Sequence, residues 1–231
     1  MIDTRALGRD APGGEDGHAL VRAGGSTEAG AATRAELLAS GRKLFAQRGF
    51  DGTSIRAITR DAGANLGAVT YHFGSKRELY SAVLEQGLSS VAARVRTAAA
   101  MEGSGLERML GVVRAYFEHL QDHPDLPRLL LQEVAAGKEP PPVVLRIILG
   151  VKQTIVELHA QGIADGSVRA SHPVLTALSV ISQPIYLALV SPLLRTVGPV
   201  DLGDPRTREM TLEHISTFVR GGLSPRGETG G

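Results

Sequence analysis

The chain has 231 residues, enough for one large or two small domains, and its 42% hydrophobic and 21% charged residues are ordinary for a soluble globular protein. A net charge of +1 excludes a molecule that is basic over its whole surface. The absence of cysteine excludes a disulfide framework, a thiolate metal site and a cysteine nucleophile.

The charge is unevenly spread. Residues 31–96 carry ten Lys and Arg against five Asp and Glu, whereas residues 1–30 carry three against five and residues 97–231 twelve against fourteen. A basic segment on a slightly acidic body is the footprint of a local polyanion contact such as DNA phosphate, although a solvated helix face has the same composition. The N-terminus lacks a basic start followed by an apolar run, so no secretory leader is expected and the expected location is cytoplasmic.

In chain order, residues 1–30 are rich in Gly, Ala and Asp without an apolar period, and are expected to be a disordered arm. A first helix follows over residues 33–48, with Leu37, Leu38, Gly41, Leu44 and Phe45 as its stripe and Gly49 as its stop. After the turn Asp51-Gly52-Thr53, Ser54 is placed to cap a short helix over 55–62. Gly63 breaks the chain, Asn65 can cap again, and a second short helix covers 66–72. Ser75 and Glu78 have the spacing of a capping box for a long helix over 76–99.

Beyond residue 101 the helices become longer and more apolar, at 106–122, 125–136, 141–161, 173–195 and 205–221, punctuated by Pro124, Pro140 to Pro142, Asp165-Gly166 and Gly203-Asp204. Residues 224–231 are expected to be a disordered tail. The expected fold is therefore all-α, with an N-terminal helix-turn-helix domain of three helices over residues 31–100 and a larger helical bundle over 101–223, about nine helices in all.

Residues 173–194 carry no charge and are long enough to cross a bilayer. Two internal prolines, one Gln, three Ser and one Thr, with no second such span, fit a helix buried between subunits better, and no membrane partner is expected.

Two short helices joined by a three-residue turn containing Gly make a helix-turn-helix. Ile55, Ile58 and Ala62 give the first an apolar face, Val69 and Phe73 the second, and small Ala57 and Ala62 permit close crossing. Left outward are Arg56, Arg60, Asn65, Gly67, Ala68, Thr70, Tyr71, His72 and Lys76, phosphate donors mixed with small and polar groups able to approach base edges.

Residues 49–84 (GFDGTSIRAITRDAGANLGAVTYHFGSKRELYSAVL) resemble the TetR family of transcriptional regulators. The resemblance rests on Gly49-Phe50, a Ser-led second helix, a Gly turn, an aromatic-rich recognition helix and the Phe73 to Leu79 stretch, and covers residues 33–85. It implies that Thr53 and Ser54 meet phosphate, that Arg56 reads a base, that Asn65, Leu66, Gly67 and Ala68 lead into the major groove beside Thr70, and that Tyr71, His72 and Lys76 grip phosphates. Thr70 departs from the family pattern, which commonly has an aromatic residue there.

One recognition helix gives too little contact for tight specificity, so a homodimer on palindromic double-stranded DNA is expected. The candidate interface is Leu175, Leu178, Ile181, Ile185 and Leu189 on the apolar helix, with Leu212, Ile215 and Phe218 on the last. A pocket for a small apolar or amphipathic effector is expected inside the bundle, with Tyr116, His119, Gln132, Gln153, Gln183 and Tyr186 as candidates and Glu133 and His159 as further polar groups. Pro184, by freeing a carbonyl, makes Gln183 to Tyr186 the preferred segment. His119 and His123 share a helix face at metal-ligand spacing, but no third ligand accompanies them, so no metal or cofactor is expected.

The resulting expectation is a DNA-binding regulator, most simply a ligand-responsive repressor. The alternatives are an architectural DNA-binding protein or a regulator without a ligand, and, less favoured, an enzyme. The apolar helical part of roughly 130 residues argues against the first alternative, and the absence of nucleophile-elbow, P-loop and dinucleotide fingerprints argues against an enzyme.

Overall fold

Local caps decide where most helices begin. In the computed structural model, which describes residues 16–137, 139–198 and 200–225, the Ser54 hydroxyl accepts from the Ala57 N–H and the Ser75 hydroxyl from the Glu78 N–H, starting α2 (Ile55–Asp61) and α4 (Lys76–Ala99). The reciprocal half of a capping box forms at Ser104 and Glu107 instead, at the head of α5 (Gly105–Asp122), where the Glu107 carboxylate also accepts from the Ser104 N–H at 2.8 Å. The remaining helices are α1 (Asp16–Arg48), α3 (Ala68–Phe73), α6 (Leu126–Ala136), α7 (Pro142–Ala164), α8 (Pro173–Val197) and α9 (Pro205–Leu223). Among the described residues there are nine helices and no strand.

Two expectations change. Helix α1 begins at Asp16, so residues 16–30 are helical where an unstructured arm was expected. Once the packed turns around Leu37 and Phe45 have met the cost of nucleation, extending the helix toward its N-terminus costs little. Residues 1–15 of the expected arm and 226–231 of the expected tail lie outside the described residues. The recognition helix starts at Ala68 rather than Leu66, with Gly67 as its N-cap and no side-chain cap from Asn65.

The first three helices and the start of α4 enclose Leu37, Leu44, Phe45, Ile58, Val69, Leu79 and Tyr80. Phe45 meets Tyr80 edge-on with ring centres 4.9 Å apart, and Phe50 closes the cluster at 5.2 Å from Tyr80. Helix α4 then runs into the bundle, where its buried Leu88, Val91 and Val95 share the core with Met109, Val113, Phe117 and Leu120 of α5 and Ile155 and Leu158 of α7. Gly105 lets α5 and α7 approach closely: a Cβ there would lie 2.3 Å from the Gly162 backbone nitrogen.

Helix α8 is long and apolar enough to cross a membrane by composition, yet only 28% of its most apolar stretch is buried within the chain. Ala177, Val180, Pro184 and Ala188 face inward, while Leu175, Leu178 and Tyr186 point out. On α9 the inward stripe is Leu212, Ile215 and Val219, and Phe218 points out.

Candidate nucleic-acid interface

Helices α2 and α3 form the expected crossed pair. Gly63 in the intervening turn takes φ +63°, a left-handed conformation that an L side chain rarely adopts, and Ala64 N–H then returns to the Thr59 carbonyl at 2.8 Å. Ile58 and Val69 are fully buried beneath the pair, which fixes the outward face of α3.

That outward face carries Asn65, Leu66, Gly67, Thr70 and Tyr71, all exposed, with Arg56 and Arg60 exposed on α2 beside it. Tyr71 is 84% exposed and stands edge-on to the half-buried His72, ring centres 4.8 Å apart. A large aromatic held this far into water contributes nothing to the core of this domain. Ser54 is exposed and uses its oxygen as a cap, which leaves its hydroxyl hydrogen free to donate. Among the described residues Arg56 and Arg60 have no ion-pair partner, whereas Lys43 is held by Asp61 at 2.7 Å and keeps that carboxylate below its ordinary pKa.

Three expected contact residues are placed differently. Thr53 is buried at 1% exposure, and its hydroxyl donates to the Gly49 carbonyl at 2.7 Å, with the Leu44 carbonyl 3.1 Å away. It therefore ties the turn to α1, and its hydroxyl is not presented outward. Ala68 is buried and offers no side chain at the surface. The Lys76 ammonium donates to the carbonyls of Phe50 at 2.8 Å and Thr53 at 2.9 Å and sits 4.2 Å above the Phe50 ring. Two of its three hydrogens are thus committed inside the chain, because the turn before α2 presents the Phe50 and Thr53 carbonyls to the head of α4.

The effector candidates do not converge. Tyr116 and His119 are buried in the α5 core, and Gln132 is half-buried with its amide reaching the Ala46 carbonyl at 3.4 Å. Gln153 is exposed and donates to Glu157, and Tyr186 is 63% exposed. Gln183 lines a groove of about 360 Å³ between α8 and α9. Glu133 accepts from the Tyr80 hydroxyl at 2.7 Å, and His159 bonds Ser171 at 2.8 Å. A cleft of about 810 Å³ opens elsewhere, between α1, α6 and α8. None of the six candidates lines it.

The dimer candidates divide. Leu175, Leu178 and Phe218 are exposed, and Ile181, Ile185 and Leu189 are half-buried on α8. Leu212 and Ile215 belong to the core: packing against α5 takes the α9 stripe that was expected to face a partner.

A buried hydrophobic base supporting two short crossed helices, with a basic and aromatic outer face, defines the helix-turn-helix class of DNA-binding regulators. Residues 37–83 match the family model described as bacterial regulatory proteins, tetR family. Over that segment the chain is similar to the TetR family of transcriptional regulators, as its sequence motifs led one to expect. It is 25% identical over 212 residues to the HTH-type transcriptional regulator RutR of Escherichia coli K12, covering 90% of this chain and 98% of that one. It is 36% identical over 90 residues to the HTH-type transcriptional repressor KstR2 of Mycobacterium tuberculosis, covering 39% of this chain and 45% of that one. The solved structure of that ketosteroid transcriptional regulator superposes with a TM-score of 0.66 at 26% identity, over 84% of this chain and 95% of that one.

Proposed function

We propose that the chain is a dimeric, effector-responsive repressor that reads palindromic operator DNA through α3. The observation that carries this reading is the outward face of α2 and α3, where Arg56, Thr70 and the 84%-exposed Tyr71 stand over a rigid apolar base. On this reading residues 31–100 are the DNA-reading unit and residues 101–223 the regulatory and dimerisation unit. The protein is cytoplasmic, and it is a regulator rather than an enzyme.

The roles divide by chemistry. Ser54, Tyr71 and His72 supply donors to phosphate oxygens, which set register and carry no sequence information. Arg56 reads a base edge, with Asn65, Leu66, Gly67 and Thr70 lining the approach to the groove. Lys76 acts from behind, holding the turn that positions α2, and keeps one N–H for phosphate.

Leu175, Leu178 and Phe218, together with Tyr186, make an apolar outer face on α8 and α9 that a second copy would cover. KstR2 is a named repressor, which supports repression as the sign of regulation.

Selection of bound duplexes from a random library, followed by titration, tests the reading. Arg56→Ala is expected to relax discrimination at one base pair by about 1–3 kcal/mol. Tyr71→Ala is expected to weaken specific and scrambled duplexes alike without lowering Tm. A wild-type dimer with no sequence preference at low salt would overturn it.

A further inference from the structure

We propose that the 810 Å³ cleft between α1 and the wall formed by α6 and α8 binds a small amphipathic anion, a carboxylate or phosphate on an apolar body, as the effector of the repressor. The effector role rests on the function proposed above; the binding site itself does not.

The cleft sits on the seam between the two units. One wall is α1 of the DNA reader, and the other is built from Asp125 and Arg128 at the start of α6 and from Ala188, Ser191 and Pro192 of α8. Its volume is in the range of small-molecule sites. Small side chains line both walls, Ala35 and Ala39 on α1 and Ala188 and Pro192 on α8.

The charge of the lining selects the ligand. Arg34, Arg42, Lys43 and Arg128 line the cleft against a single carboxylate, Asp125. Arg42 is already paired with Asp125, and Lys43 with Asp61 outside the cleft. Among the described residues Arg34 and Arg128 have no ion-pair partner, and Arg34 stacks on Phe73 at 4.9 Å. Two unpaired guanidiniums beside a floor of alanine and proline suit a fork-accepting anion with an apolar tail. A cationic or uncharged amphiphile would leave them unanswered.

Occupancy would act on DNA through geometry already present. Helix α1 packs on both α2 and α3. The same α8 that supplies Ala188 and Pro192 to the cleft carries Leu178 and Tyr186 on its outer face. An anion drawn into the seam competes with Asp125 for Arg42 and changes the angle between reader and bundle, hence the spacing of the two α3 helices in a dimer.

The test uses the full-length protein and 8-anilinonaphthalene-1-sulfonate, an amphipathic anion that fluoresces in apolar sites. Saturable binding near one per chain is expected, displaced by decanoate and not by decyltrimethylammonium. Arg128→Glu should weaken it by at least about tenfold, Arg128→Lys should keep most of it, and Ala39→Trp should abolish it by filling the cleft. Met210→Ser, at an exposed side chain of α9 that does not line the cleft, should leave it unchanged. Circular dichroism and Tm confirm that each variant is folded. Unchanged binding in folded Arg128→Glu and Ala39→Trp, or equal displacement by the cationic amphiphile, overturns the site. Binding that depends on Arg128 while operator affinity ignores decanoate leaves the site standing and overturns the effector role.

Discussion

Arg42 of α1 and Asp125 at the head of α6, 83 residues apart, are joined by a two-pronged ion pair, with Nη2 of the guanidinium 2.6 Å from one carboxylate oxygen and Nε on the other. Among the described residues it is the one ion pair that links α1, α2 or α3 to the helices beyond α4. Asp125 occupies the N-cap position of α6 without capping it, because its carboxylate is spent on Arg42. Both side chains are about one-quarter exposed, so solvent screening limits the pair.

A double-mutant cycle on Arg42→Ala and Asp125→Ala is expected to give a coupling of about 1 kcal/mol in thermal unfolding. The larger effect should fall on communication. Each variant should bind operator near wild-type strength and respond more weakly to effector, as read by DNA-binding titration. A coupling indistinguishable from zero together with a wild-type response would remove the pair from the mechanism.

Lys76→Met tests whether that ammonium is a strut or a DNA clamp. Losing charge-assisted bonds to Phe50 and Thr53 should destabilise the reading unit by about 1.5–3 kcal/mol, with faster amide exchange confined to α2 and its preceding turn. If Lys76 serves phosphate alone, Tm will hold and only the salt dependence of DNA binding will fall.

Leu178→Asp with Phe218→Asp should convert the protein to a monomer in sedimentation without loss of helix content, since both side chains are more than half exposed in the single chain. Specific operator binding should then fall sharply, because each monomer keeps one half-site reader. Dimers that persist in this variant would place the interface elsewhere.

His119 is fully buried, and neither ring nitrogen has a hydrogen-bond partner among the described residues. Burial, helped by His123 and Arg94, holds its pKa down at about 4, against 6.5 when unfolded. The unfolded chain therefore takes up the proton first. This contribution to stability is complete above about pH 6.5 and is lost as the pH falls toward 4, by about 2–3 kcal/mol over the window. Burial lowers His159 too, which adds a smaller effect of the same sign. His119→Leu should flatten the dependence and match or exceed wild-type stability at pH 7.5, as measured by denaturant unfolding at pH 7.5 and pH 5. An unaltered pH slope in that variant would assign the loss to other groups.

The amino-acid sequence by itself determined the nine helices, most of their ends and the helix-turn-helix, because caps such as Ser54, Gly63 and Ser75 act within a few residues of the chain. Tertiary structure alone decided which way the ambiguous groups face. A hydroxyl or an ammonium has the same local sequence whether its partner is a DNA phosphate or a carbonyl across a turn, so the inward commitment of Thr53 and Lys76 depended on where α1 and α4 meet. On α9, Leu212, Ile215 and Phe218 are equally apolar, but residue 218 lies about 240° around the helix from 212, and only the position of α5 settles which side is core. The Arg42–Asp125 link and the cleft beside it join segments some 80 to 150 residues apart. No local period records such a meeting, because it depends on how whole helices pack.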